Sequence, residues 1–92
     1  MTRKESSDLL KAAIANAEIA LRNDQKKMAY HLVADAASKI NGSCQFGPLR
    51  NMFSRPGGSW ASMGFGTKQW LLTGEEYDLA MQVKNIALKA SE

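Results

Sequence analysis

The chain has very few of the residues from which covalent and metal crosslinks are built. Among 92 residues there is one cysteine, Cys44, and one histidine, His31. A single thiol excludes an internal disulfide, and these two residues are too few for a zinc site made only of Cys and His. We therefore expect no metal site, and the lone thiol is typical of a protein that works in the reducing cytoplasm.

Long hydrophobic runs are also absent. No stretch of about 18 apolar residues occurs, and the first five residues lead into polar serines rather than into the apolar segment of a secretion signal. The sequence thus predicts neither a membrane span nor export. Hydrophobic residues make up 45% and charged residues 23% of the chain, as in a folded domain, and this length suffices for one core only.

Glycine and proline are scarce outside the middle of the chain. Residues 42–73 hold six of the seven glycines, both prolines and five of the seven aromatic residues. They contain no Asp or Glu, so Arg50, Arg55 and Lys68 give them a charge of +3, equal to the net charge of the whole chain. The single domain, residues 1–92, is therefore divided into helical residues 1–41, Gly-rich, aromatic and basic residues 42–73, and residues 74–92.

Two apolar stripes with helical spacing run through residues 1–41. The first belongs to a helix that we expect to begin near Ser6 or Ser7. The stripes consist of Leu10, Ile14, Ala17 and Leu21, then Met28, Leu32, Ala36 and Ile40, with Ala29, Val33 and Ala37 broadening the second. One unbroken helix over residues 7–40 would be about 50 Å long, which is wider than so small a domain. A helical hairpin is favoured, although one long helix is possible if a partner chain covers it.

The break in the hairpin is predicted at Asn23-Asp24. Asparagine adopts the left-handed conformation that ends helices, and aspartate caps the free N–H groups of a following helix.

A C-terminal helix is predicted from Thr73, because Thr73 and Glu76 have the spacing of a capping box. Its solvent-exposed side would consist of Asp78, Gln82, Asn85 and Lys89. Its apolar side is unusually broad, since Tyr77, Met81 and Leu88 extend it, and this breadth suggests contact with a second subunit as well as with the hairpin.

Residues 42–73 predict a short helix and a small β-hairpin. Gly47-Pro48 would open a helix over Leu49 to Phe53, and residues 59–65 and 68–72 have the composition of two short strands. The fold class is therefore mainly α. We expect the interior to consist of Leu10, Ile14, Leu21, Met28, Leu32, Val33, Ile40, Leu79, Val83 and Ile86, with Phe46 and Phe53 also in the core.

Catalysis is not favoured by the pattern of titratable residues. Every Asp and Glu falls on a helix pattern or its cap, which indicates solvated positions. His31 and Asp35 have the spacing of an ordinary surface pair on a helix, and Cys44 is in no nucleophile motif. We expect a non-enzymatic protein without a cofactor.

Binding to another protein is the function that residues 50–70 favour most. Tryptophan and arginine are enriched where binding energy concentrates in interfaces, and the lack of acidic residues predicts a partner with an acidic surface. The predicted contact residues are Arg50, Arg55, Trp60, Phe65, Lys68 and Trp70. Because the core is small, we also expect a homodimer.

Nucleic-acid binding is the alternative. A winged-helix arrangement would need its reading helix to begin at Pro48, and the aromatic residues would otherwise stack on single-stranded bases. Three cations would give a salt slope of about −2.7, which is shallow for one copy of a nucleic-acid-binding protein.

A short cytoplasmic chain with an alanine-rich helical start, no catalytic set, and an aromatic, basic loop resembles the small accessory proteins of temperate bacteriophages. Antirepressors and host-enzyme inhibitors belong to this group. The resemblance implies stoichiometric binding to a regulatory protein or enzyme and assigns no individual residue a role.

Overall fold

The computed structural model describes residues 1–53 and 71–92. These residues form four helices and, within those two ranges, no strand. The helices are α1 (Arg3–Arg22), α2 (Lys26–Ser43), α3 (Gly47–Asn51) and α4 (Gly74–Ala90). The mainly helical class is confirmed.

Helices α1 and α2 form the predicted hairpin, so the alternative of one long helix is wrong. The turn falls at the predicted Asn23-Asp24, but the two residues have other roles than expected. Asp24 rather than Asn23 has the left-handed backbone, with φ of 58°. The N-cap of α2 is Gln25, which makes no side-chain capping bond.

Helix α1 begins earlier than the serines suggested. Thr2 is its N-cap: its hydroxyl accepts from the Glu5 amide, and the Glu5 carboxylate accepts from the Thr2 amide. Ser6 lies one turn inside the helix, fully buried, and its hydroxyl donates to the Thr2 carbonyl. A threonine and glutamate in capping-box spacing thus outweigh the serines as the start signal.

Helix α4 packs against both α1 and α2. Its predicted capping box, Thr73 with Glu76, is present. Side chains near the start of α4 pair with the first half of α1, and its last two turns lie beside the last turn of α1. The two helices therefore run parallel, with α2 antiparallel to both.

The core lies between these three helices and is closed at one side by α3. Most of the predicted interior is buried: Leu10, Ile14, Val33, Ile40, Leu79, Val83 and Ile86. Leu21 and Leu32 are only half-buried, and Met28 is 53% exposed. The buried side of α2 is centred on Ala29 and Val33. Each of these follows directly after a residue of the predicted stripe that began at Met28. The predicted interior position of Met28 is therefore wrong.

Helix α3 confirms that Gly47-Pro48 opens a short helix, but the helix ends two residues earlier than predicted. The helix ends at Asn51, and Met52 and Phe53 follow it into the core. Phe46 is half-buried against the core. The predicted strands over 59–65 and 68–72 fall on residues outside the described part, apart from Leu71 and Leu72, which are not in a strand.

Candidate functional site

The two ends of the helix bundle differ in chemistry. The capped end contains the first turns of α1 and α4, the last turn of α2, and α3. The turn end contains the α1–α2 turn and the last turns of α1 and α4. About 30 Å of helix separates the two ends, since α1 has 20 residues.

Glu76 is the central side chain of the capped end. It is 4% exposed, and both carboxylate oxygens bind the Arg3 guanidinium, from Nε to Oε2 at 2.5 Å and from Nη2 to Oε1 at 2.6 Å. Its Oε1 also accepts the Thr73 amide at 2.8 Å. One carboxylate therefore caps α4 and joins it to the start of α1.

Arg3 extends this connection to the loop between α2 and α3. Its guanidinium carbon lies 3.9 Å from the centroid of the Phe46 ring, a cation–π contact. The Gln45 amide donates to the Met1 carbonyl at 2.9 Å. The beginnings of α1 and α4 and the loop before α3 are thus held together by a few polar contacts.

These contacts shift the ionisation of the groups involved. The hydrogen bond from Arg3 lowers the pKa of Glu76 despite the opposing effect of burial. The same hydrogen bond raises the pKa of Arg3. Hydrogen bonds from Thr2 lower the pKa of Glu5, and the hydrogen bond to Glu75 raises the pKa of Lys11. Each of these shifts has a structural cause, a helix cap or an interhelical ion pair.

Only one of the predicted partner-binding residues is described. Arg50 is exposed on α3, its carbonyl accepts from Asn41 Nδ2 at 3.5 Å, and its guanidinium has no ion pair within the described residues. The other five predicted contact residues, Arg55, Trp60, Phe65, Lys68 and Trp70, lie outside the described part of the chain. Arg50 lies on the capped end, three residues before the buried Phe53.

The residues weighed for catalysis differ in burial. His31 and Asp35 are both exposed on α2, and His31 stands edge-on to Tyr30 with ring centroids 6.3 Å apart. Cys44 is 1% exposed and its Sγ lies 3.6 Å from the Phe46 carbonyl. Over residues 1–53 and 71–92, no three His, Cys, Asp or Glu side chains come together in a group that could hold a metal ion. No helix in the same ranges is long and apolar enough to cross a bilayer.

A groove of about 630 Å³ lies at the turn end, between the last turns of α1 and α4. Its apolar lining consists of Leu21, Ile86 and Leu88. Its charged lining consists of Glu18, Arg22, Lys89 and Glu92, with Gln82 and Asn85 completing the wall. The sequence signal for this groove was the broad apolar side of α4, because Leu88 extends that side and is 43% exposed.

Sequence reasoning missed the burial of Glu76. Its capping role was predicted from the spacing to Thr73, but all acidic residues were expected to be solvated. Its second partner, Arg3, is 73 positions away, and no local pattern connects the two. The pair appears only when α1 and α4 lie side by side and start at the same end.

The comparisons with known proteins give no relative. No protein family, no curated protein and no solved structure matches this chain.

Proposed function

We propose that the protein is a non-enzymatic, cytoplasmic regulator or inhibitor that acts by stoichiometric association with another protein, and that residues 50–70 carry the contact. The observation that supports this most is the anchoring of the chain on both sides of residues 54–70. Before them, Leu49 is fully buried and Phe53 is 3% exposed. After them, Thr73 and Glu76 close the cap of α4.

Anchored flanks reduce the freedom that a binding segment loses when its partner arrives. Ordering a segment on association lowers affinity, so segments whose ends are fixed on a rigid scaffold bind better than free ones. Here both flanks lie at the capped end, where Arg3 and Glu76 hold α1 and α4 together. Residues 54–70 add both tryptophans of the chain, the residue type that most often dominates an interface.

The charge of this region favours an acidic partner surface. Arg50 is exposed, and no acidic side chain of the described residues pairs with it. Arg55 and Lys68 follow in a stretch that has no Asp or Glu. Charge complementarity of this kind speeds and orients association more than it tightens the complex. The likeness to small phage accessory proteins favours a repressor or a host enzyme as the partner.

The nucleic-acid alternative has less support. A winged-helix protein would place α3 in the major groove, but α3 has five residues, which is little more than one turn. Stacking of aromatic residues on single strands is the form of the alternative that remains. It predicts binding that weakens strongly with salt.

The proposal is tested by comparing what the wild-type protein and an Arg55→Glu, Trp60→Ala variant retain from a host lysate. We expect a stoichiometric partner protein that the wild type retains and the variant does not. The matched control is Lys27→Glu with Met28→Ala, which makes the same charge change and removes an exposed apolar side chain at the turn end, opposite Arg50, Phe53 and Leu71. This control should retain the partner.

Two results would overturn the proposal. One is an identical set of retained proteins for all three forms while circular dichroism shows that each is folded. The other is binding of single-stranded nucleic acid that is tight at about 50 mM salt and falls steeply by about 200 mM, which would establish the alternative.

A further inference from the structure

We infer that the groove at the turn end is the face through which two copies of this chain associate about a two-fold axis. Three of its lining side chains are apolar: Leu21 is half-buried, Ile86 is 7% exposed, and Leu88 is 43% exposed. A second copy seated there would cover Leu88, one of four large hydrophobic side chains exposed in the described part of the chain.

The charges around this groove are balanced, and none of them forms an ion pair with another residue that the structure describes. Glu18 and Arg22 lie on the α1 side, and Lys89 and Glu92 lie on the α4 side. The ion pairs of the described residues are Arg3 with Glu76 and Lys11 with Glu75, so none of the four groove charges takes part in one. The Glu92 backbone carbonyl accepts from Lys26 Nζ at 3.4 Å, whereas the Glu92 side chain forms no ion pair within residues 1–53 and 71–92.

A two-fold axis places a surface against itself, so the surface must be complementary to itself. A groove with charges of one sign would bring like charges together, which opposes association. This groove has two acidic and two basic side chains, so a two-fold pairing can set acidic groups of one copy against basic groups of the other. Every such contact occurs twice. The balance therefore fits a second copy better than a partner of one charge.

The core gives an independent reason for self-association. Eight of the nineteen buried hydrophobic residues in the described part are alanines, and alanine buries little apolar surface. Small cores with limited burial commonly gain stability by oligomerisation. The groove is also the continuation of the seam between α1 and α4, so covering it would extend the existing core.

The sharpest test separates the groove charges into two variants. The acidic-groove variant is Arg22→Glu with Lys89→Glu, and the basic-groove variant is Glu18→Lys with Glu92→Lys. Sedimentation velocity over about 1 to 200 μM should show a dimer for the wild type. Each variant alone should dimerise at least about tenfold more weakly, because like charges then face each other. An equimolar mixture of the two should dimerise again.

The control is Lys4→Glu with Lys39→Glu, which changes the net charge as much as the acidic-groove variant does but at exposed positions outside the groove. It should dimerise like the wild type. The basic-groove variant places added positive charge one turn before the end of α1 and two residues after the end of α4, near two helix C-termini. The helix dipoles favour positive charge there, so the fold of this variant should survive.

A wild type that stays monomeric over the whole concentration range would overturn the inference. So would variants that dimerise as well as the wild type, or a mixture that stays as monomeric as its components. The groove is at the opposite end from Phe53 and Leu71, between which residues 54–70 lie in sequence. Loss of the dimer and loss of the partner protein are therefore separate outcomes.

Discussion

The capped end and the turn end are built from the same helices, but they use their charges differently. At the capped end, Arg3 and Lys11 of α1 each pair with a glutamate of α4. At the turn end, none of the four groove charges forms an ion pair with another described residue. Ile19, Met28 and Leu88 are each about half exposed there. The polar groups of the capped end hold helices together, whereas our inference assigns those of the turn end to a contact with a second copy.

Helix direction explains part of this difference. Because α1 and α4 are parallel, the positive ends of two helix dipoles lie together at the capped end, and carboxylates in both first turns offset them. Glu5, Glu75 and Glu76 occupy those turns. Arg22 and Lys89 occupy the last turns, where a basic side chain is favourable without a partner. Basic side chains near a helix C-terminus, such as Arg22 and Lys89, are therefore stabilised by the helix dipole without needing a carboxylate partner in the same chain.

The largest expected effect on stability is at Glu76, and it tests whether the capped end is the polar anchor of the fold. Replacing it by alanine removes one of the two hydrogen bonds of the capping box, the one from the Thr73 amide, and leaves the Arg3 guanidinium without its carboxylate; the bond from the residue 76 amide to the Thr73 hydroxyl remains. The lost capping bond costs up to about 1 kcal/mol, and a broken buried ion pair costs more, discounted here because the Arg3 side chain is 42% exposed. We expect Glu76→Ala to lower the free energy of unfolding in urea by about 2 kcal/mol.

The matched control for this change is Glu18→Ala, which replaces a turn-end glutamate that has no ion pair in the part of the chain the structure describes. In monomeric protein its effect should stay within about 0.5 kcal/mol, as for most surface substitutions. Equal losses for the two variants would show that the capped end is not the polar anchor of the fold.

Local patterns in the sequence predict much of this fold. Each of these signals depends on residues within one or two helical turns of each other. They are the apolar stripe that begins at Leu10, the stripe that ends at Ile40, the break at residues 23–24, and the cap at Thr73. Such signals are contained in short windows because helix formation and capping are local. The helical hairpin and the start of α4 in the sequence follow from them.

Contacts between distant parts of the chain could not be predicted in this way. Arg3 with Glu76 and Arg3 with Phe46 depend on how α1, α4 and the α2–α3 loop pack. The error at Met28 has a related cause: Met28 and Ala29 both fit a helical stripe, and packing against the other helices decided between them. Of the predicted contact residues, only Arg50 is placed by the structure, so the remainder of that site stays a prediction.

A smaller effect is expected at the turn between α1 and α2. Asp24 has a φ of 58°, a left-handed conformation that costs a residue with a side chain about 1 kcal/mol, and glycine almost nothing. We expect Asp24→Gly to raise the free energy of unfolding by about 0.5 kcal/mol and Asp24→Val to lower it by more than about 1 kcal/mol, both measured by urea denaturation. If both substitutions destabilise equally, the carboxylate of Asp24 and not its backbone is what the turn requires.

The smallest expected effect is a change of the free energy of unfolding with pH, which tests whether the negative charge of Glu76 stabilises the capped end. Its pKa in the folded protein is lowered, first by the hydrogen bond from Arg3, below the usual value of 4.5. The unfolded chain therefore binds more protons than the folded one between the two pKa values. The stabilisation is complete above about pH 4.5 and is lost as the pH falls through the folded pKa.

Glu76→Gln keeps an oxygen for the Thr73 amide but cannot titrate. The difference in the free energy of unfolding between wild type and Glu76→Gln should thus shrink between pH 7 and the acid range, and Arg3→Gln should show the same weakened pH dependence as Glu76→Gln. A difference that stays constant down to acid pH would mean that the negative charge of Glu76 does not stabilise the capped end, and that its role there is confined to the helix cap.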